Sequence, residues 1–492
     1  MWTKTDLQNF IQDKLGDYLF IAVSNRQPYV HVHKKGKVEC QRGVGGVISA
    51  LDPIMQACRG TWVAFGSGDA DRSVSGPNGE ITVPPHDPSY TLRRIWLTKE
   101  EELGYYHGYS NNVLWPLCHL AFQRPLFRQE DWEYYKSVNR KFAKAVIEEI
   151  GGRKAFVWIQ DYHLCLLPQY LKEMAPKQLI TAHFWHVPWP SYEIFRICPQ
   201  REELLNGLLA NDLIGFHIRY HCHNFLDVID REMESKIDRE RFSVVRSGHE
   251  TLIRPYPISV DFEGIAQRAG SAEVKALEES LRGDYDLAGK KVLIGLDRID
   301  YTKGIPEKIL AVDRLLERYP DLRGKLVFLQ IGVISRLHTQ PYKDLNDQIN
   351  AMVEDVNWKY STDSWRPVIF VRDHFSLPKL LALYRISDAA LVASLHDGMN
   401  LVAKEYVASR TDEGGMLVLS QFTGAARELT DAVLVNPYDR EEFCEGIYKA
   451  LTLSEEDRAR RMGKMRETIR TANIYRWAGK IISELLKFEF KE

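Results

Sequence analysis

The chain has 492 residues, 45% of them hydrophobic, and sets 65 Lys+Arg against 67 Asp+Glu for a formal net charge of -2. That length supports two cores rather than one, and the balanced charge, with no Lys/Arg block, argues against a nucleic-acid partner and leaves small anions as the targets of local basic spots. Seven scattered cysteines without a C-x-x-C pair suit a reduced cytosol and core-filling thiols, and no stretch reaches the roughly 18 uninterrupted apolar residues of a membrane span.

Taken in order, the N-terminal stretch spaces Leu7, Phe10, Ile11 and Leu15 like an amphipathic helix and is charged throughout, so it is neither a signal peptide nor a span. An α/β rhythm follows: "YLFIAVSN" (18–25), a helix from Gly46, "TWVAFG" (61–66), "TLRRIWL" (91–97), a helix over 131–150, "AFVWIQD" (155–161) and "LITAHFWH" (179–186). One segment interrupts it, "GSGDADRSVSGPNGEITVPPHDPSY" (66–90). Its Gly, Pro, Ser and Asp content predicts a long loop with a small hairpin at "PNGE". Residues 241–264 show two strand-like runs around a Ser-Gly turn and a Pro-rich exit, which puts a domain boundary near Val260.

The second half repeats the rhythm with "KVLIGL" (291–296), a helix opened by Pro306, "KLVFLQIGV" (325–333), "PVIFV" (367–371), "AALVA" (389–393), "MLVLSQ" (416–421) and "AVLVNP" (432–437). A last helix from about Ile474 carries Trp477, Ile481, Ile482, Leu485 and Leu486 on one stripe and must bury it, the first domain being one surface for it. The expected class is α/β: two Rossmann-like, doubly wound domains facing across a cleft, at 1–260 and 261–473, with 474–492 as the returning helix. Ligands of such sheets bind beyond the carboxyl ends of the strands.

Several residues at those strand ends can carry chemistry. In "LDRIDYTKGIPEKIL" (296–310), Arg298 and Lys303 lie between a buried strand and a helix start, the ingredients of an anion site, although by itself the segment also reads as a solvated loop. A second helix start, "DGMNLVAKEY" (397–406), brings Asp397 and the backbone N–H groups of Gly398, Met399, Asn400 and Leu401 to the same edge. A diphosphate joined to a polyol would use all of these. Glu405, eight residues past Asp397, is placed to accept the hydroxyls of a ribose; a solvated helix glutamate is the plain alternative.

In the first half "SNR" (24–26) ends a strand, and "GVGG" (43–46) is a glycine turn short of the full G-x-G-x-x-G pattern. "QDYH" and "WHVPWP" bring Asp161, His163 and His186 to one edge. His217, His221, Cys222 and His223 lack the remaining ligands of a complete metal site at defined spacing. Hydrolase, Walker A and zinc-protease motifs do not occur.

Assembled, these motifs resemble the trehalose-6-phosphate synthase family, family 20 of the GT-B glycosyltransferases. The resemblance rests on "SNR", the "GG" at 45–46, "YYHGYSNNVLWP" (105–116), "DYH", "HVPWP", "RIDYTKG", "DGMNLVAKEY", "VLSQFTGAARE" and "VNPYDR", in the family's order from about residue 20 to 485. It implies a second domain that binds a nucleotide-glucose, UDP-glucose first, with ADP- and GDP-glucose open. Arg298 and Lys303 match diphosphate ligands, Asp397 and the 398–401 backbone the sugar ligands, Glu405 the ribose ligand, Gly46 a glycine at the donor phosphates, and His186 the histidine near the transferred sugar. In the first domain Arg26, Tyr106 and Arg336 match ligands of the phosphate of glucose 6-phosphate, and Trp115 and Asp161 match residues that hold its glucose.

The same resemblance implies retaining transfer with His186, Asp161, Arg298 and Lys303 as the catalytic set, no cofactor and no metal. It implies small-molecule substrates only, no nucleic acid or membrane partner, a cytoplasmic setting, a separate phosphatase downstream, and an oligomeric state left open, homo-oligomer included. Departures are Phe65 and Gly66 where the family has "W-S-G", Gln160 in place of a histidine, the 66–90 insertion and the N-terminal helix. Two alternatives stand beside the synthase: the same donor chemistry on another phosphorylated acceptor such as glycerol 3-phosphate, and a catalytically silent sugar-phosphate sensor. Retention of Arg26 and Arg336 favours a hexose phosphate.

Overall fold

A computed structural model describes residues 1–490 apart from 17, 44, 176 and 334–339. The chain divides into two units, Met1–Ile258 with Ile474–Glu492, and Ser259–Asn473.

The first unit is built on a ten-stranded sheet. From edge to edge its strands are Lys236–Asp238, Ser243–Arg246, His249–Pro255, Leu213–Phe216, Leu179–Phe184, Ala155–Gln160, Leu19–Arg26, Thr61–Phe65, Tyr90–Ile95 and Glu80–Val83. Every residue of Ala155–Gln160, Leu179–Phe184 and Leu213–Phe216 is buried, which is why these strands are nearly unbroken apolar runs rather than alternating ones. From Leu19–Arg26 the chain builds outward to Thr61–Phe65 and Tyr90–Ile95, then crosses to Ala155–Gln160 on the other side. The order therefore reverses beside Leu19–Arg26, and in sheets of this kind ligands bind at the carboxyl ends beside such a reversal.

The insertion at 66–90 is not the loop its composition predicts. It holds a short helix, Asp71–Val74, a turn at 76–79 closed by Gly79 N–H to Gly76 O (2.9 Å), and the strand Glu80–Val83. That strand pairs antiparallel with Tyr90–Ile95, Glu80 opposite Arg93, so the expected turn at "PNGE", closed by Gly76 N–H to Glu80 O (2.8 Å), leads into a strand of the main sheet rather than a separate small hairpin. Local composition registers the turn residues but not the sheet edge waiting to be paired.

Both chain ends close on this unit. In the helix Lys4–Leu15, capped by Thr3, the residues Leu7, Ile11 and Leu15 are buried, while Phe10 stays at the rim and meets Trp2 edge-on at 5.6 Å. The helix Ile474–Leu485 buries Trp477, Ile481, Ile482 and Leu485; Leu486 lies past its end and is only half-buried. Trp477 packs its ring on Trp158 (5.0 Å) and Phe184 (4.9 Å) and donates its indole N–H to Tyr256 O at 3.1 Å.

The second unit carries a six-stranded sheet, parallel throughout: Val368–Val371, Leu326–Val333, Lys291–Arg298, Ala389–Val392, Met416–Ser420, Val433–Val435. Numbered along the chain this is the order 3-2-1-4-5-6 of dinucleotide-binding domains, with its reversal between Lys291–Arg298 and Ala389–Val392. Beneath the first of these strand ends, the fully buried Lys308 bonds to Asp297, which also accepts Gln330 Nε2 at 3.1 Å. Among the described residues no helix is long and apolar enough to cross a membrane.

Candidate active site

In the second unit the reversal point is where chemistry collects. The strand Lys291–Arg298 ends on the half-exposed Arg298, whose guanidinium lies 3.7 Å from the buried Asp300. Asp300 shapes the turn: its Oδ1 accepts the N–H (3.0 Å) and hydroxyl (2.9 Å) of Thr302, and Tyr342 OH donates to its Oδ2 at 3.3 Å. Leu395 N–H donates to Thr302 O at 2.8 Å and ties this turn to the loop after Ala389–Val392.

Across that seam Lys303 Nζ donates to Asp397 Oδ2 at 2.5 Å. The same oxygen accepts Ser394 Oγ (3.1 Å) and Asn400 Nδ2 (3.2 Å). Asn400, at φ 72°, turns the chain into the helix Leu401–Ser409 and caps it, its Oδ1 accepting Ala403 N–H at 3.3 Å. Backbone bonds from the loop after Met416–Ser420 support this approach: Gly424 N–H to Asp397 O (3.2 Å) and Ala425 N–H to Met399 O (2.9 Å). Gly424 passes so close that a Cβ there would lie 2.0 Å from Gly398 O. The stretch before the helix is thus held by hydrogen bonds, with Arg298, Lys303, Asp397 and the helix start at the carboxyl ends of two neighbouring strands.

Glu405 sits one turn further along, half-buried, with Tyr384 OH donating to its Oε2 at 3.5 Å. Burial pushes its carboxyl up to about 7, and the tyrosine bond pulls the other way. Ser394 and Tyr384 were not singled out by sequence. Ser394, three residues before Asp397 at a strand end, carried a readable signal; Tyr384, from the helix Leu377–Ile386, carried none.

In the first unit four neighbouring parallel strands present His217, His186, Asp161 and Arg26 at their carboxyl ends. Asp161, at φ 71°, ends its strand abruptly; its Oδ1 accepts His186 N–H at 3.3 Å and its carbonyl bonds His183 Nε2 at 2.9 Å. His186 Nε2 lies 2.9 Å from Gln160 Oε1. Because Gln160 Nε2 donates to Trp158 O at 3.4 Å, its carbonyl oxygen faces the imidazole and places the His186 proton on Nε2. Burial, with His217, His183 and His163 adding to it, holds the His186 pKa well below the usual value, so the ring is neutral.

Arg26 Nη2 donates to Tyr106 OH at 2.7 Å. Tyr106 lies on Glu102–Leu114, thirteen residues wound as a π-helix, a rare geometry that tends to occur at functional sites. Its ring stacks on His163 (5.7 Å), His163 on Tyr162 (4.0 Å), and Trp115 packs against Tyr162 at 5.9 Å. Trp115 is only 6% exposed, so its indole is chiefly a wall of this aromatic stack. Gly46 opens the helix Gly46–Cys58 at an exposed position. Arg336 lies outside the described residues. Also among the described residues, no group of three or more His, Cys, Asp or Glu side chains is placed to hold a metal ion.

One strand edge thus pairs cations with a helix start, and another pairs a cation with a neutral histidine and a carboxylate. Residues 19–487 match the family model described as Glycosyltransferase family 20. The chain belongs to that family. This family 20 glycosyltransferase is 36% identical over 478 residues to the trehalose-6-phosphate synthase of Mycobacterium ulcerans, covering 96% of this chain and 94% of that protein. The Escherichia coli protein solved with UDP-2-fluoro glucose is similar at 31% identity and a TM-score of 0.85, over 96% of this chain and 100% of that one. A UDP-forming α,α-trehalose-phosphate synthase from Burkholderia xenovorans, solved with glucose-6-phosphate, is similar at 29% identity and a TM-score of 0.85, over 95% and 99%. The fold of this family 20 enzyme is accordingly GT-B, made of the two doubly wound units described above.

Proposed function

We propose that this glycosyltransferase moves glucose from UDP-glucose to glucose 6-phosphate with retention and without a metal, giving trehalose 6-phosphate. The observation that carries the donor assignment is the meeting of Arg298, the Lys303–Asp397 pair and the start of the helix Leu401–Ser409 at the reversal of a 3-2-1-4-5-6 sheet. Phosphates are held at such helix starts and guanidinium groups, and hydroxyls by carboxylates. Glucose 6-phosphate as acceptor is supported by Arg26, seated by Tyr106, and by the similar proteins solved with UDP-2-fluoro glucose and with glucose-6-phosphate.

In the step itself the bond from the glucosyl C1 to the diphosphate oxygen breaks, and C1 bonds the acceptor's anomeric oxygen on the same face. The acceptor proton passes to the departing phosphate oxygen, and UDP leaves. Arg298, Lys303 and the 398–401 N–H groups stabilise the charge that grows on the leaving group, in the manner of preorganised oxyanion donors. Asp161 orients acceptor hydroxyls, and neutral His186 orients the donor sugar without placing a positive charge beside an oxocarbenium-like carbon. Asp397, already bonded to an ammonium, is better matched to sugar hydroxyls than to a metal ion.

Pairing UDP-, ADP- and GDP-glucose with glucose 6-phosphate and glycerol 3-phosphate, with and without a chelator, tests this reading by mass spectrometry and by the anomeric configuration of the product. Trehalose 6-phosphate from UDP-glucose, insensitive to the chelator, is expected. Turnover of glycerol 3-phosphate but not glucose 6-phosphate would sink the acceptor assignment. Tight nucleotide-sugar binding with no nucleotide released by any acceptor would make the protein a sensor.

A further inference from the structure

The insertion at 66–90 has no part in the chemistry above, yet the first unit devotes a sealed ion pair to holding it. Asp71 and Arg94 are both buried and pair at 3.2 Å. Asp71 also accepts the N–H groups of His31 (2.8 Å) and Gly68 (2.7 Å) and the amide of Gln27. Arg94 donates to Gln27 Oε1 (2.8 Å), Ser75 Oγ (2.8 Å) and Tyr29 O (3.1 Å). A pair satisfied this completely specifies position more than it adds net stability.

What it positions is the next residue. Asp71 points inward and Arg72 outward into solvent, where its guanidinium lies over the Trp96 ring, 4.6 Å from the centroid. Among the described residues no carboxylate pairs with it. Trp96 can lie where it does because residue 66 is glycine: a Cβ there would meet the indole at 2.5 Å. Gly66 N–H donates to Ile95 O at 3.0 Å, and the preceding Phe65 pairs with Arg26 on the adjacent strand. The Gln27–Asp71 bond joins the residue after Arg26 to the residue before Arg72. Arg26, the last residue of its strand, is steadied by a tyrosine hydroxyl, and Arg72, on the short helix tied to that strand end through Gln27 and Asp71, by an indole face. Stacking occupies the guanidinium's flat face and leaves its edge N–H groups for an anion.

We propose that Arg72, seated on Trp96, is a further cationic ligand for the phosphate of the acceptor, and that the insertion serves acceptor selection. The inference rests on the reading that the acceptor is a sugar phosphate. Steady-state kinetics of Arg72→Ala should show KM for glucose 6-phosphate raised about tenfold, with KM for UDP-glucose and kcat within about twofold of wild type. Arg72→Lys recovers part of the loss, and Trp96→Ala shows an intermediate rise because the guanidinium remains but loses its seat. An acceptor KM within about twofold of wild type in Arg72→Ala, or donor and acceptor KM rising together, would overturn the proposal.

Calorimetric titration of inorganic phosphate gives a readout that does not need turnover. Binding weakened about tenfold in Arg72→Ala supports the site even if glucose 6-phosphate proves not to be the acceptor, in which case the proposed reaction fails and this inference stands. Equal phosphate binding by both proteins overturns the inference and leaves the donor assignment untouched.

Discussion

At the scale of single residues, Lys303 is already paired before any ligand arrives, its ammonium 2.5 Å from Asp397 Oδ2. A bound diphosphate would share this cation, and the value of that sharing grows as charge develops on the leaving oxygen. Lys303→Ala should therefore lose roughly 2–4 kcal/mol of transition-state stabilisation, seen in kcat more than in donor KM; unchanged kcat would remove Lys303 from the leaving-group clamp. Glu405 makes a different prediction. Its carboxyl is pushed from 4.5 up to about 7 by burial, so the neutral form is favoured in the folded protein, and the stability this contributes is complete below 4.5 and is lost as pH rises through about 7. The melting temperature of wild type should fall relative to Glu405→Gln between about pH 4.5 and about pH 7 and run parallel to it above that. In the proposed role of Glu405 the ribose hydroxyls donate to the ionised form, so UDP-glucose affinity should rise over the same interval in wild type and stay flat in the variant. Calorimetry in buffers of different ionisation enthalpy would show whether a proton is released on binding.

At the scale of elements, the proposed donor site depends on three strand-end loops passing within backbone contact. Gly424 lies under Gly398, and a methyl group there would stand 2.0 Å from a carbonyl oxygen that has no side-chain freedom to move away. Gly424→Ala should cost the second unit roughly 1–3 kcal/mol, as overpacking does, and weaken UDP binding while leaving inorganic phosphate binding by the first unit unchanged. Denaturant unfolding and ligand titration of the same variant would check both halves; loss of both ligands together would point to general misfolding. The π-helix Glu102–Leu114 is a second element whose form matters, because it carries Tyr106 to the Arg26 guanidinium and into the stack on His163.

At the scale of the whole molecule, the chain leaves the first unit after Ile258 and returns to it at Ile474, so that unit is assembled from both ends of the sequence. Trp477 ties the returning helix in, buried against Trp158 and Phe184 and bonded to Tyr256 O. Trp477→Ala should cost the first unit roughly 3–5 kcal/mol. Hydrogen exchange should then lose protection in Ala155–Gln160 and Leu179–Phe184 but not in Lys291–Arg298. Uniform loss in both units would show that they unfold as one.

The long apolar runs such as "AFVWIQ" and "KLVFLQIGV" made the buried parallel strands readable, because burial on both faces leaves a local imprint in sequence. Turn chemistry marked the helix starts, so Arg298, Lys303 and Asp397 could be singled out without coordinates. What stayed hidden depended on partners far along the chain. Glu80–Val83 reads as loop until the edge of Tyr90–Ile95 is there to pair it; Gln160 reads as a substitution until His186 arrives 2.9 Å away from beyond the end of the neighbouring strand. The sequence by itself determined two repeats of alternating strand and helix and the polar residues at their ends, since periodicity and turn preference act over a few residues. Only the tertiary structure decided which strand ends lie side by side, because strand order is set by crossovers that join segments tens of residues apart.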